Sequence, residues 1–289
     1  MKYAVTGATG KFGQTVIKVL AENVDNRDII ALARNTEKAE KLFPGIEARP
    51  GSYDSEEVLE KSLKGVDKLL LISSIPGQAV SRIQQHKNVI NAAKKAGVRF
   101  IAYTSFPHAD TAKSPLAIDH KNTEQAIRES GIGYSFLRNN WYLENERMQI
   151  PAAINNKPFV YSAGEGRVGW ALEREYAEAA ARVLLSDEPK TVYEFSGPQH
   201  SYDDLARTLK VLTDNDFEVM SLSDDEYRKR LVATGYSPQA AAGIVGMQRL
   251  IREGDLSETS SDLPTALGHP LPTFEESLKE VIHKLKKVS

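Results

Sequence analysis

The chain contains no cysteine. Disulfides, cysteine nucleophiles and thiolate-held metals are therefore excluded, and a reducing compartment suits such a sequence. Histidine is scarce, six residues in 289, and none stands at a zinc-ligand spacing, so no metal is expected. An excess of either charge is also missing. The 37 Lys and Arg nearly balance 39 Asp and Glu, a net charge of -2, which leaves no field to gather nucleic acid or an anionic membrane. No apolar run nears the roughly 20 residues that a membrane helix needs. Met1 and Lys2 lead straight into an apolar segment, from which we expect no signal peptide and a cytoplasmic location. What remains is 41% hydrophobic and 26% charged, an ordinary core for one large or two moderate domains.

The most informative stretch is the first. Residues 3–6 form an apolar strand candidate that runs into Gly7, Gly10 and Gly13, and Val16, Ile17, Val19 and Leu20 then share one helical face. A strand, glycine turn and helix in this order receive the pyrophosphate of a dinucleotide. Gly7 permits the tight turn, Gly10 lets the backbone approach the phosphates, and Gly13 lets helix and strand pack closely. The helix presents its amides and positive dipole end to the anion.

Further strand candidates recur at 29–33, 69–73, 100–104 and 134–138, with helical periodicity at 36–42, 56–63, 84–96 and 123–130 between them. Apolar strands alternating with helices indicate an α/β protein built on a Rossmann-type, doubly wound parallel sheet. A late strand at 192–197 completes that sheet. Beyond Pro151 the pattern loosens into a strand at 159–162, a turn at 164–166 and helices at 173–185, 202–212, 223–234 and 273–287. Residues 257–262 read as a solvent-exposed polar loop. We expect residues 1–150 to form the nucleotide domain and 151–289 a smaller, mostly helical lobe, partly interleaved with it.

The tip of the second strand chooses between the nicotinamide cofactors. An acidic residue there binds the ribose 2′-OH of NAD, whereas arginine accepts the 2′-phosphate of NADP. This strand ends Ala33-Arg34-Asn35 without an acid, and Arg34 lies 21 residues beyond Gly13. Its planar fork suits bidentate phosphate binding, and Lys38 follows one turn later. NADPH is the expected cofactor.

Several segments together resemble the NmrA-like branch of the atypical short-chain dehydrogenases. They are Val5-Thr-Gly-Ala-Thr-Gly-Lys-Phe-Gly13, Ala31-Leu-Ala-Arg-Asn35, Leu69-Leu-Leu-Ile-Ser-Ser74, Gln85-His-Lys-Asn-Val-Ile-Asn-Ala-Ala93, Ala102-Tyr-Thr-Ser105 and Leu137-Arg-Asn-Asn-Trp-Tyr142. Within that branch the likeness is to the bacterial type 2 NADPH:quinone oxidoreductases, with triphenylmethane reductases as near relatives. It implies that Thr6, Gly7, Thr9, Gly10, Lys11 and Phe12 hold the diphosphate and Arg34 the 2′-phosphate. Tyr53 and Asp54 border the adenine, while Ser73, Ser74 and Ile75 line the nicotinamide ribose. Thr104, Ser105, Asn139 and Trp141 complete the cofactor site from the ends of the fifth and sixth strands.

The wider dehydrogenase family donates its proton from a Tyr-x-x-x-Lys pair, and the corresponding helix here reads Leu116-Ala-Ile-Asp-His-Lys-Asn-Thr-Glu124, without that pair. His120 falls near the position a lysine holds in related reductases, and Glu124 lies four residues on, on the same helical face. Two readings of His120 stand open: a hydrogen-bond donor or general acid oriented by Glu124, or a buried helix histidine with a local salt bridge. A quinone accepts hydride readily and its oxygens take protons from water, so positioning the ring matters most. Phe106, His108, Trp141 and Tyr142 are expected to form an aromatic wall for a flat acceptor, with packing between lobes as the alternative role for Trp141 and Tyr142. Asn140 is expected to hold a carboxamide or an acceptor carbonyl. The leading expectation is hydride transfer from NADPH to a quinone by a monomer or homodimer. Two alternatives stay open: reduction of triphenylmethane or azo dyes, and a non-catalytic NADP(H)-sensing regulator.

Overall fold

Six largely apolar segments and one mixed edge segment pair as parallel strands in one sheet, and the reason lies in the buried faces of the inner strands. In the computed structural model, which describes residues 1–112 and 114–287, these are β1 (Tyr3–Val5), β2 (Ile29–Ala33), β3 (Glu47–Pro50) and β4 (Lys68–Leu71). They are followed by β5 (Phe100–Ser105), β6 (Gly133–Asn139) and β7 (Val192–Phe195). The order across the sheet is β3-β2-β1-β4-β5-β6-β7. Tyr3 pairs with Ile29 on one side and Lys68 on the other, so the order reverses between β1 and β4. Ligands of open parallel sheets bind in the crevice beyond the carboxyl ends of strands at such a reversal.

Helices α1 (Lys11–Ala21), α2 (Thr36–Leu42), α3 (Glu56–Ser62), α4 (Arg82–Ala96) and α5 (Pro115–Ser130) connect the first six strands. Asn35, Ser55, Ser81 and Ser114 cap α2 to α5, each accepting a backbone amide of the first turn with its side chain. Ser114 and Pro115 start α5 eight residues before the expected 123, a cap and a first-turn proline that outweigh weak periodicity. Strand β3 was not among the expected segments: it is an edge strand of mixed, part-exposed residues and carries no apolar run.

The chain divides into two units. The first comprises Met1–Asn139, Arg174–Phe195 and Asp262–His269, and so holds the whole sheet together with α6 (Glu173–Leu185), bar its first residue, and α7 (Asp262–Leu267). The second holds the described residues of Asn140–Glu173, Ser196–Ser261 and Pro270–Ser289. Residues 140–150 thus group with the second unit. Asp262 is not the end of a solvated loop: it opens α7 and accepts bonds from Lys190 Nζ at 2.7 Å and the Glu194 amide at 3.0 Å.

The second unit is mainly helical. Its helices are Gln149–Ile154, Tyr202–Thr213, Asp224–Ala233, Pro238–Arg252 and Phe274–Lys286, of which Gln149–Ile154 and Pro238–Arg252 lay outside the expected helices. Phe159–Tyr161 pairs with Val219–Ser221, and Arg167–Val168 with His200–Ser201. Tyr161 and Tyr202 stack at its centre with ring centroids 5.2 Å apart. No helix among the described residues is long and apolar enough to cross a membrane.

Candidate active site

The glycine turn is built for close approach. Gly7 has φ +59, a left-handed conformation that suits a residue without a side chain. A Cβ on Gly13 would lie 2.5 Å from the Gly7 carbonyl oxygen and 2.7 Å from Ala8 Cα, both backbone atoms, so α1 meets the turn only because position 13 is glycine. Gly10 is less constrained, its virtual Cβ 3.3 Å from the same oxygen. Unlike α2 to α5, α1 has no side-chain cap, and its first turn contains no acid. That leaves its positive end suited to an anion. Lys11 is exposed there and makes no ion pair among the described residues, while Phe12 is buried and Thr9 part-exposed, its carbonyl accepting from Gln14 Nε2. The cradle fits a dinucleotide diphosphate.

Thr6 is committed to the protein. Its Oγ1 lies 3.1 Å from the Leu70 carbonyl, accepts the Ile72 amide at 2.9 Å and lies 2.5 Å from the Tyr53 hydroxyl. A hydroxyl with three partners has no hydrogen-bonding capacity left. Burial pushes the Tyr53 hydroxyl up, while the Thr6 bond and the charge of Arg34 draw it back, which sets Arg34 near this corner. Arg34 itself is exposed and makes no ion pair among the described residues. Asp54 is exposed and accepts from Gln85 Nε2 at 2.7 Å. Gly51 was not anticipated: a Cβ there would lie 2.7 Å from the Ala33 nitrogen, so it lets the turn after β3 close against the tip of β2 beside Arg34.

At the end of β4 the Ser73 amide donates to Thr104 Oγ1 at 2.8 Å, and the Ser74 amide donates to His86 Nε2 at 2.9 Å. The second bond fixes the imidazole. With Nε2 accepting, the proton sits on Nδ1, 2.9 Å from Thr123 Oγ1, which itself donates to the Asp119 carbonyl. Burial, aided by the charge of Arg82, pushes His86 down to about 3, so it is neutral. Ile75, next along, is 74% exposed. Sequence reasoning passed over His86 because a single helical histidine carries no signal of its own.

His120 is buried, with Nδ1 2.8 Å from the Tyr103 hydroxyl. Burial, then the charge of Arg82 and the electrostatic influence of His86, holds it well below the usual range, so it is a neutral imidazole. Glu124 does not orient it. That carboxylate accepts from Ser105 Oγ at 2.7 Å and from Arg138 at 2.9 and 3.0 Å, with Arg128 at 3.2 Å. The expected His120–Glu124 partnership is therefore replaced by a Glu124–Arg138 pair, because the guanidinium on β6 satisfies both oxygens. Ser105 spends its hydroxyl on the same carboxylate.

Phe106 is buried, its ring 5.9 Å from that of His120, and so contributes to the support of the site and not to an open wall. His108 is part-exposed with φ 49, an unusual backbone for a side-chain-bearing residue, and its amide donates to Glu194 at 3.4 Å. Asn139 ends β6 and is buried. Asn140, Trp141 and Tyr142 belong to the second unit. Asn140 is spent there: its Nδ2 donates to the Leu256 carbonyl at 3.0 Å, and its Oδ1 accepts the Trp141 amide at 2.8 Å. These bonds use the Asn140 amide within its own unit and compete with the expected role of holding a carboxamide or an acceptor carbonyl. Trp141 acts on Glu146 of the same unit, and Tyr142 bridges to Ala171.

Residues 7–168 match the NAD(P)H-binding family. The chain is 39% identical over 283 residues to quinone oxidoreductase 2 of Escherichia coli, covering 97% of this chain and 98% of that protein. It is likewise similar to the crystal structure of the Escherichia coli NADPH-dependent quinone oxidoreductase QOR2 complexed with NADPH, with TM-score 0.91 over 96% of this chain and 99% of the other at 39% identity. Triphenylmethane reductase of Citrobacter sp. complexed with NADP(H) matches with TM-score 0.90 and 35% identity, covering 97% of this chain and all of that one.

Proposed function

The chain belongs to the NAD(P)H-binding family, and we propose on that footing that it is an NADPH-dependent oxidoreductase that transfers a hydride to a quinone. One observation carries this reading: 39% identity to a quinone oxidoreductase over nearly the whole of both chains. The glycine cradle and the uncapped α1 hold the diphosphate, with Lys11 adding charge. Arg34 takes the 2′-phosphate, supported by its exposure, its want of an ion pair among the described residues and the absence of an acid at the β2 tip. Ser73, Ser74 and Ile75 border the nicotinamide ribose, and His86 keeps their backbone in place.

The bound cofactor supplies two electrons and a hydrogen as hydride. The chain's residues position the acceptor and keep water from the transfer. His120, neutral and bonded to Tyr103, is a poor proton donor, so the final proton comes from solvent. A chain without cysteine suits the cytoplasm, where we place it. Reduction of cationic dyes is the second reading, favoured by the likeness to triphenylmethane reductase.

Purified protein, NADPH and a panel of quinones and dyes test the reading by loss of nicotinamide absorbance. Turnover of a quinone is expected. NADPH binding without turnover of any acceptor would overturn it in favour of a sensor. Arg34→Ala is expected to weaken NADPH roughly tenfold or more and leave NADH unchanged, since one charge-assisted phosphate contact is lost. Equal loss for both would reject Arg34 as the 2′-phosphate ligand.

A further inference from the structure

The connection from β4 to α4 carries a cation with no paired anion among the described residues. Arg82, the first residue of α4, is 8% exposed, and its Nε and Nη1 are buried without a hydrogen-bond partner. The first turn of α4 contains no acid. The location compounds the cost, because the start of a helix is its positive end and favours anions. An unpaired buried charge is among the least favourable arrangements in a protein. Its neighbours do not balance it, since His86 and His120 are both neutral. A second orphan lies close by. Ser74 Oγ is buried without a partner, and the Ser74 amide is tied to His86, one turn beyond Arg82 on the same helical face. Two unpartnered guanidinium nitrogens and an unpartnered hydroxyl therefore share one corner at the carboxyl end of β4, beside exposed Ile75.

We propose that Arg82, with Ser74, receives the anionic oxygen that forms on the acceptor as it is reduced. This rests on the quinone-reductase reading and says what replaces the absent tyrosine acid. A quinone that takes a hydride gains two electrons and one proton, so one oxygen becomes a phenolate. Solvent then supplies the second proton and hydroquinone leaves, while the dinucleotide, the electron source, leaves oxidised. Arginine does not act as the acid, because it keeps its proton at any working pH. It stabilises the charge as it develops, from a position fixed beforehand. The substrate class follows. Acceptors that become anionic on oxygen benefit from Arg82, whereas a cationic triphenylmethane dye becomes neutral on taking hydride and gains nothing.

The test compares wild type, Arg82→Met and Arg82→Lys with a benzoquinone and with the cationic dye crystal violet. Arg82→Met is expected to lower kcat with the quinone about 100-fold, the loss typical of removing one oxyanion donor. It is expected to leave the NADPH Kd and crystal violet reduction within about threefold, and Arg82→Lys is expected to recover much of the quinone rate. A cofactor-free measurement stands beside these: wild type binds 4-nitrophenol as its yellow phenolate below the pH at which the free phenol ionises, and Arg82→Met abolishes that shift. Unchanged quinone turnover in Arg82→Met overturns the proposal while leaving the reductase reading intact. Loss of NADPH affinity, or equal loss with quinone and dye, overturns it too, by assigning Arg82 to the cofactor or to folding. Absence of quinone turnover in wild type overturns both readings.

Discussion

His86 Nε2 accepts the Ser74 amide at 2.9 Å, and this single bond joins α4 to the loop that follows β4. Replacement by leucine keeps the volume but leaves a backbone amide without its acceptor, a loss of about 1 kcal/mol or more. His86→Leu is expected to weaken NADPH binding roughly tenfold by calorimetric titration. Because His86 is pushed down to about 3, its neutral form persists at working pH, and NADPH affinity should show no step from this residue between pH 5 and 8. Undiminished affinity in the variant would mean that the Ser73–Ser74 backbone does not contact the nucleotide.

The two glycines ahead of α1 are expected to differ sharply in tolerance. Gly13→Ala places a methyl group 2.5 Å from the Gly7 carbonyl oxygen, where only backbone lies and nothing flexible can give way. Gly10→Ala meets the same oxygen at 3.3 Å, which a shift of a few tenths of an ångström relieves. Fluorescence titration with NADPH should find binding abolished in Gly13→Ala and weakened in Gly10→Ala. The reverse order would place the diphosphate against Gly10 more tightly than the free geometry implies.

Much of the first unit was legible because its strands are buried on both faces. Segments such as Ile29–Ala33 declare themselves by composition alone, and the expected helix at 36–42 coincides with the one found. Edge strand Glu47–Pro50 has no such constraint and no such signal. At the site, the glycine turn was readable because close packing there needs glycine at a particular spacing. The partners of Ser105, Glu124 and Asn140 were not readable for the opposite reason: polar groups find partners from segments far away in sequence, as Glu124 does with Arg138. Arg82 had one readable sign, a cation at a helix start where acids are the norm, but its burial belongs to the fold.

Arg138 holds three carboxylates: Glu124 at 2.9 Å, Glu194 at 2.7 Å and Asp110 at 2.9 Å. The side chains of Arg138 and Glu124 are 5% and 1% exposed, so neither can turn to water when the other is lost. Arg138→Met should destabilise the protein by about 3–5 kcal/mol, the cost of an abandoned buried charge. In a domain of this size that lowers Tm by on the order of 10 °C. Adding Glu124→Gln should recover part of the loss. A single variant as stable as wild type by calorimetry would show that water reaches the carboxylate.

Glu146 makes the stability of the second unit depend on pH in a direction opposite to ordinary acid denaturation. Its Oε1 accepts from Trp170 Nε1 at 3.0 Å and its Oε2 from the Tyr202 hydroxyl at 2.8 Å, while Gln248 Nε2 donates to that hydroxyl at 2.7 Å. Burial pushes the carboxyl up to about 7, although the bonds from Tyr202, Trp170 and Trp141 draw it down. The unfolded chain ionises near the usual 4.3, so between about pH 4.3 and 7 the folded form binds the extra proton. The contribution of Glu146 is fully present below that window and lost as pH rises through 7, a change of roughly 4 kcal/mol at 1.36 kcal/mol per unit. Glu146→Gln imitates the protonated carboxyl at every pH. Urea unfolding at pH 5 and pH 8 should therefore give a variant close to wild type at pH 5 and more stable than wild type at pH 8. A stability difference that does not change between the two conditions would mean that Glu146 stays ionised when folded, with its donors outweighing burial.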